Sequence, residues 1–138
     1  MTIFYHELNW RHFQDCAINC HFYPYDYNHL AAALSGVTGL NYGIEDILQV
    51  GARAQTLSRL FNLREGLTAD DDKLPKRVMN AFNSGPLADI EITDETFNWA
   101  KRRYYEMMLW DPDSGVPTQA CLADLKLTEI LAFDRQWT

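Results

Sequence analysis

The chain has 138 residues, of which 47% are hydrophobic and 13% are aromatic. This length suffices for one domain with its own core, and this composition excludes a disordered tail. The net charge is −7, and the longest basic run is Lys101-Arg102-Arg103. Nucleic acid and anionic membrane surfaces are therefore excluded as main partners, because both require a basic face.

The sequence carries no membrane or export signal that we can identify. No apolar run approaches the roughly 20 residues that span a bilayer, and the first residues lack the basic and apolar regions of a secretory signal. The three cysteines, Cys16, Cys20 and Cys121, are an odd and low number. Together these features predict a cytoplasmic protein with free thiols rather than a disulfide framework.

The first half of the chain predicts three helices. Asn19, followed by Pro24, is typical of a helix end, because Asn tolerates the left-handed conformation. Asp26 is a candidate N-cap of a second helix that Gly36 would end. Apolar residues at helical spacing predict a long third helix, in which Gly51 is small enough to let another helix approach closely. The predicted bounds are Thr2–Asn19, Tyr27–Ser35 and Ile44–Arg64, and the apolar stripe of the third helix is Ile44, Ile47, Leu48, Gly51, Ala54, Leu57, Leu60 and Phe61.

The second half predicts a long loop and two further helices. Residues 65–92 break helical periodicity with an acidic run and several Pro and Gly residues. Thr93 is a candidate N-cap of a helix to about Leu109, and Thr118 of a short helix to about Leu125. Residues 130–137 are predicted to form a docked turn. The predicted class is all-α: a compact orthogonal bundle of about five helices with long connecting loops, in a single domain, 1–138.

The densest group of ligand-type side chains is Asp15, Cys16, Cys20 and His21. Asp15 and Cys20 are five residues apart, about 140° around a helix, so they could face one cofactor only if the helix ends between them. A thiolate from this group could complete an iron–sulfur cluster whose other ligands lie elsewhere. A zinc site from His12, Cys16, Cys20 and His21 is an alternative, although the spacing is not a recognised one. On spacing alone, small buried thiols are the favoured interpretation.

Other polar residues favour structural roles. His12, His21 and His29 have no carboxylate or nucleophile at a telling distance, and the acidic run 70–72 is typical of a solvated turn. Arg59 and Arg64 could pair with carboxylates across an interface. No phosphate-binding glycine loop, nucleophile elbow or Cys-x-x-Cys motif is present.

Several short motifs occur in the same order as in one known family. They are Thr38-Gly39, Glu45-Asp46-Ile47-Leu48, Gly51-x-Arg53, Leu57-x-Arg59-Leu60-Phe61-Asn62-x-Arg64-Glu65-Gly66, Asp71-Asp72-x-Leu74-Pro75-x-Arg77, Tyr104-Tyr105, Trp110-Asp111-Pro112-x-x-Gly115-x-Pro117-Thr118 and Leu122-x-x-Leu125. With these motifs the chain resembles the C-terminal helical domain of the tungsten-dependent aldehyde ferredoxin oxidoreductases over most of its length.

The resemblance implies a two-electron oxidation of an aldehyde to a carboxylic acid at a tungsten, or molybdenum, held by two pterins. Electrons would leave through a four-iron (4Fe-4S) cluster to ferredoxin. The family carries an Asp-x-x-Gly-Leu-Cys pattern, which matches Asp15 and Cys20 here. Cys20 is thereby implied as the metal ligand of the cluster, and Asp15 with the neighbouring Asn19 as the pterin-binding residues. Ile18 stands where the family has Gly, and Asn19 where it has Leu.

The resemblance also implies what other parts of an enzyme would supply. The remaining cluster cysteines and pterin contacts would come from N-terminal domains of the same enzyme, so we expect the isolated chain to be inactive and to hold no cofactor. We expect an apolar patch where those domains would cover this one, and self-association into a homo-oligomer is open. A standalone helical interaction module that has lost cofactor binding is the main alternative.

Overall fold

A computed structural model describes residues 1–129, and these residues form six helices. The all-α class is confirmed, and none of the described helices is long and apolar enough to cross a membrane. The predicted turn at 130–137 lies outside the described residues. The helices are α1 Thr2–Cys16, α2 Tyr27–Thr38, α3 Ile44–Arg64, α4 Lys76–Met79, α5 Asp94–Met107 and α6 Gln119–Asp124.

The three predicted side-chain N-caps are all present. The Asp26 carboxylate accepts a hydrogen bond from the His29 backbone N–H at 2.9 Å, which begins α2. Thr93 and Thr118 accept from backbone N–H groups three residues later, at 3.1 and 3.2 Å. The bounds of α3 are also as predicted, because acidic residues in its first turn and Gly66 after its last fix both ends locally.

Two predicted helix ends were wrong by a few residues, and α4 was not predicted. Helix α2 continues through Gly36 to Thr38, because it is Gly39 that adopts the left-handed conformation, with φ 74°. Helix α1 ends at Cys16, and Ile18, not Asn19, is the left-handed residue. Helix α4 follows Pro75 inside the segment that was predicted to be a loop.

Helix α3 connects two apolar clusters. One cluster joins α1, α2 and α3 through Trp10, Phe13, Ala31 and Ile47. The other joins α3, α5 and α6 through Ala52, Tyr104, Tyr105, Met108, Trp110, Cys121, Leu122, Leu125 and Leu127. The predicted stripe on α3 was therefore wrong in part: Ile44 and Phe61 are exposed, whereas Thr56 and Arg59 are buried.

Helices α1 and α3 approach each other at Gly51. A Cβ atom added to Gly51 would lie 1.8 Å from the Asn9 carbonyl oxygen, so the two backbones are separated only by hydrogen atoms at this point. The predicted close approach of a second helix at Gly51 is thereby confirmed. This contact fixes how the end of α1, which carries Asp15, sits on the rest of the fold.

Candidate functional site

The end of α1 is a Schellman motif with an unusual residue at its turning point. The Ile18 N–H donates to the Asp15 carbonyl at 3.1 Å, and the Asn19 N–H donates to the Gln14 carbonyl at 2.9 Å. Ile18 itself has φ 54°, a conformation that a β-branched residue rarely adopts and that glycine adopts freely. The local fold is thus the one expected of the glycine that the family pattern has at this position.

The segment after α1, residues 17–25, is named here the Cys20 loop. The Cys20 side chain is exposed in this loop, and so is Asp15 at the end of α1. The Asp15 Oδ1 atom lies 2.9 Å from His21 Nε2, which ties the end of α1 to the middle of the loop. The expectation that His21 has no carboxylate at a telling distance was therefore wrong. The interpretation of Cys16 and Cys20 as small buried thiols was wrong, since both are exposed; Cys121 is the buried one.

Two amide side chains at the end of α1 have buried polar atoms without hydrogen-bond partners among residues 1–129. They are Asn19 Nδ2 and Gln14 Oε1. Buried polar groups are nearly always paired, so water or a group outside the described residues is the expected partner of each atom. Asn19 was predicted as a cofactor contact. Gln14 was not, because a lone glutamine within a helix carries no sequence signal for a site.

The proposed zinc site does not form. No group of three or more His, Cys, Asp or Glu side chains in residues 1–129 could hold a metal ion, and all four candidate zinc ligands lie in that range. The end of α1 and the Cys20 loop together offer the exposed thiols of Cys16 and Cys20, the Asp15 carboxylate and two amide groups with unpaired atoms. These groups could supply part of the binding site of a cofactor that other parts of a protein also hold. A thiolate can bind iron, and a carboxylate can accept hydrogen bonds from the N–H groups of a ring.

A second polar cluster lies in the interior and was missed. The Arg59 side chain is only 7% exposed, and its NH1 atom lies 2.8 Å from Asp72 Oδ2. Its Nε donates to the Gly115 carbonyl at 2.9 Å, and the Tyr105 hydroxyl donates to the same Asp72 oxygen. The structural role favoured for Arg59 is therefore confirmed, and the pairing across an interface, which was the other possibility, is not needed. The carboxylate partner is in the same chain, within the acidic run that was predicted to be a solvated turn.

This cluster, named here the Arg59 cluster (Arg59, Asp72, Tyr105 and Gly115), is structural. Burial, followed by the hydrogen bond to Asp72, raises the pKa of Tyr105, so its hydroxyl keeps the proton that it donates. A Cβ at Gly115, which has φ 65°, would lie 2.4 Å from Arg59 NH2 and 2.8 Å from Tyr105 Cζ, so a larger residue there would displace both side chains. All four residues occur in the motifs that carry the family resemblance. This shared occurrence is the sequence signal that could have indicated their contact in the fold.

An apolar cleft of about 540 Å³ opens between α1, α3 and α5. Phe4 and Leu8 of α1, Phe97 and Tyr104 of α5 and the Arg59–Asp72 pair are among its lining residues. The Tyr104 hydroxyl is buried, and this burial raises its pKa, while a side-chain hydrogen bond with Gln55 opposes the rise. Arg59 in the cleft pairs with Asp72, and the Lys101 ammonium donates to the Ala69 carbonyl at 2.9 Å. We assign the cleft no chemistry.

Replacing Ile18 with glycine is expected to stabilise the isolated chain by about 1 kcal/mol. The left-handed conformation costs an L-residue about 1–2 kcal/mol, which exceeds the entropy that glycine loses on folding. The Ile18 side chain is 95% exposed, so its removal loses no packing within the chain. Urea denaturation followed by circular dichroism measures the change.

Ala17, the preceding residue, provides the matched control. It has φ −80°, so Ala17→Gly should destabilise the chain, by about 0.5–1 kcal/mol. An Ile18→Gly variant that is less stable than the parent chain would contradict the reading of this turn.

Comparisons with known proteins agree with the order of motifs. The family model described as "Aldehyde ferredoxin oxidoreductase, domains 2 & 3" matches residues 1–127. The tungsten-containing aldehyde ferredoxin oxidoreductase of Pyrococcus furiosus is 34% identical over 99 residues, which cover 70% of this chain and 16% of that protein. The protein of the same description from Thermococcus kodakarensis is 31% identical over 100 residues, 71% of this chain and 16% of its own length. The chain therefore spans about a sixth of the length of these relatives.

Proposed function

Because the chain belongs to the aldehyde ferredoxin oxidoreductase family, we propose that it acts as the C-terminal domain of a tungsten-containing enzyme that oxidises aldehydes to carboxylic acids. Ferredoxin is the proposed electron acceptor. When bound, the tungsten–pterin group supplies the two-electron oxidation and a 4Fe-4S cluster carries the electrons away. The aldehyde pocket, the other cluster ligands and most pterin contacts are assigned to the N-terminal domains of the same enzyme.

In this proposal Cys20 supplies one thiolate ligand to the iron–sulfur cluster. The observation that carries the proposal is the exposed Cys20 side chain, placed after a left-handed residue at the position where the family pattern has glycine. Helix α1 ends before the left-handed turn at Ile18, so Cys20 lies outside the helix with its side chain exposed. A thiol that was sealed in the core, as Cys121 is, could not reach a ligand held by another domain.

Asp15 and Asn19 are the proposed pterin contacts. The exposed Asp15 carboxylate accepts hydrogen bonds, as ring N–H groups of a pterin require. The Asn19 Nδ2 atom is a buried donor without a partner among the described residues, so it can donate to an acceptor on the pterin. The His21 imidazole, 2.9 Å from Asp15, orients this carboxylate.

The test uses the full polypeptide that carries this chain together with its preceding domains. We expect Cys20→Ser to remove the electron paramagnetic resonance signal of the reduced cluster and at least 90% of ferredoxin- or viologen-linked aldehyde oxidation, since ligand loss detaches the cluster. Iron analysis of the same samples measures cluster content.

Cys16→Ser is the matched control, because Cys16 is also exposed and lies four residues away on α1. We expect it to keep both the signal and the activity. A Cys20→Ser enzyme with an intact cluster would refute the assignment of Cys20. The isolated chain should contain no tungsten and should not reduce viologen with aldehydes. Stoichiometric tungsten with turnover would refute the assignment of the aldehyde pocket and most cofactor contacts to the N-terminal domains.

The alternative, a standalone interaction module, can be distinguished from the enzyme domain by the coding sequence around its gene. Continuous coding upstream of Met1 that includes a Cys-x-x-Cys-x-x-x-Cys run supports the enzyme. A stop codon there, with no neighbouring gene for the remaining domains, supports the module. The exposed apolar residues of the Cys20 loop suit a protein interface under both readings.

A further inference from the structure

Two large apolar side chains close to Cys20 in sequence are almost fully exposed. Ile18 is 95% exposed and Phe22 is 97% exposed, and they lie two residues before and two residues after the thiol. Tyr23 and Tyr25 extend the same loop, with their rings stacked at 4.5 Å between centroids. Single exposed apolar residues are common, but this loop has one large apolar residue before the proposed metal ligand and three after it.

The backbone conformation of Ile18 is a second, independent sign that its exposed side chain has a role. A β-branched residue in the left-handed conformation is strained, and here its side chain contacts almost nothing within residues 1–129 that could compensate. Glycine would fit the same turn without strain. The isolated chain thus loses stability by having Ile18, both through its backbone and through its exposed apolar surface.

The difference from the family pattern suggests why a strained residue stands at position 18. In the resemblance, Ile18-Asn19 stands where the family pattern has Gly-Leu, so in this chain the apolar side chain next to Cys20 stands one position earlier, at residue 18. Asn19 is turned partly inward with a buried amide, whereas Ile18 points outward. The apolar contact that a leucine would make next to Cys20 is thereby available from Ile18 instead.

We propose that Ile18 and Phe22 form an apolar collar around Cys20 that packs on the cluster-bearing segment of the preceding domains and excludes water from the iron–sulfur cluster. The occupant is a part of the same enzyme, since the chain spans 16% of the length of its relatives. Dry, apolar surroundings protect an iron–sulfur cluster from solvent and set its reduction potential. This inference rests on the proposed function and adds two positioning residues to it.

The decisive measurement is the lifetime of the cluster in the full polypeptide. We expect Phe22→Ser to speed the loss of the cluster's visible absorbance in air by about tenfold, which corresponds to about 1.4 kcal/mol of lost apolar burial. Ile18→Gly should speed it by about three- to tenfold although the same change stabilises the isolated chain. A purely structural role of Ile18 would move both quantities in the same direction.

Two exposed apolar residues outside the loop serve as matched controls. Val37 on α2 is 87% exposed, and Phe82 in the segment before α5 is 63% exposed. We expect Val37→Ala and Phe82→Ser to leave the cluster lifetime within twofold of the parent enzyme. Hydroxyl-radical footprinting should show Phe22 at least fivefold less reactive in the full polypeptide than in the 138-residue chain.

Several outcomes would overturn the collar, and they are separable from failure of the proposed function. An unchanged cluster lifetime in both loop variants, or equal Phe22 reactivity in both polypeptides, would refute the collar while Cys20→Ser still tested ligation. If Cys20→Ser left the cluster intact but Phe22 were protected, the loop would be an interface without a ligand. That result would refute the water-excluding role.

Discussion

Gly51→Ala is expected to destabilise the chain by about 3 kcal/mol or more, the largest effect of any single methyl group that we can identify. The added Cβ would lie 1.8 Å from the Asn9 carbonyl oxygen and 2.6 Å from its carbonyl carbon. Both are backbone atoms, which cannot rotate away, so α1 must move off α3. Urea denaturation followed by circular dichroism measures the loss.

Gly36 provides the control for this prediction. It lies within α2, and a Cβ added there would meet nothing within 4 Å. Gly36→Ala should therefore stabilise the chain, by about 0.5–1 kcal/mol, because alanine favours a helix. Equal effects of the two substitutions would contradict the close packing of α1 on α3.

Asp72→Ala is expected to destabilise the chain by about 2 kcal/mol. It leaves the buried Arg59 guanidinium without its carboxylate and removes the acceptor of the Tyr105 hydroxyl. Breaking a wholly buried ion pair costs about 3–5 kcal/mol, and the expected value is lower because the Asp72 side chain is 38% exposed. Thermal and urea denaturation measure the change.

The matched control is an exposed ion pair. Glu7 and Arg11 lie one turn apart on α1, at 2.9 Å, and about half of each side chain is exposed. Glu7→Ala should change the free energy of unfolding by less than about 0.5 kcal/mol, since such pairs are weak in water. A comparable loss in the two variants would show that the Arg59 cluster does not hold α3 to the segment that contains Asp72.

Local signals explain where sequence reasoning about the site succeeded, and burial in the tertiary structure explains where it failed. The prediction that α1 ends between Asp15 and Cys20 required only local signals, and the helix does end at Cys16. The left-handed residue was assigned to Asn19 from its intrinsic preference. The structure places it at Ile18, because Phe13 and Gln14 are the last buried residues of α1 and the Schellman hydrogen bonds follow from that register.

The sequence by itself determined the all-α class, the family, the three N-caps and the bounds of α3. Each of these depends on residues within one or two turns of each other, or on the order of short motifs along the chain. The pairing of Arg59 with Asp72, the burial of Thr56 on α3 and the contact of Gly51 with Asn9 were decided only by tertiary structure. Each of them joins segments distant in sequence or depends on which face of α3 meets its neighbours. Helical periodicity gives the spacing of a buried face, but the neighbouring helices set its final rotation.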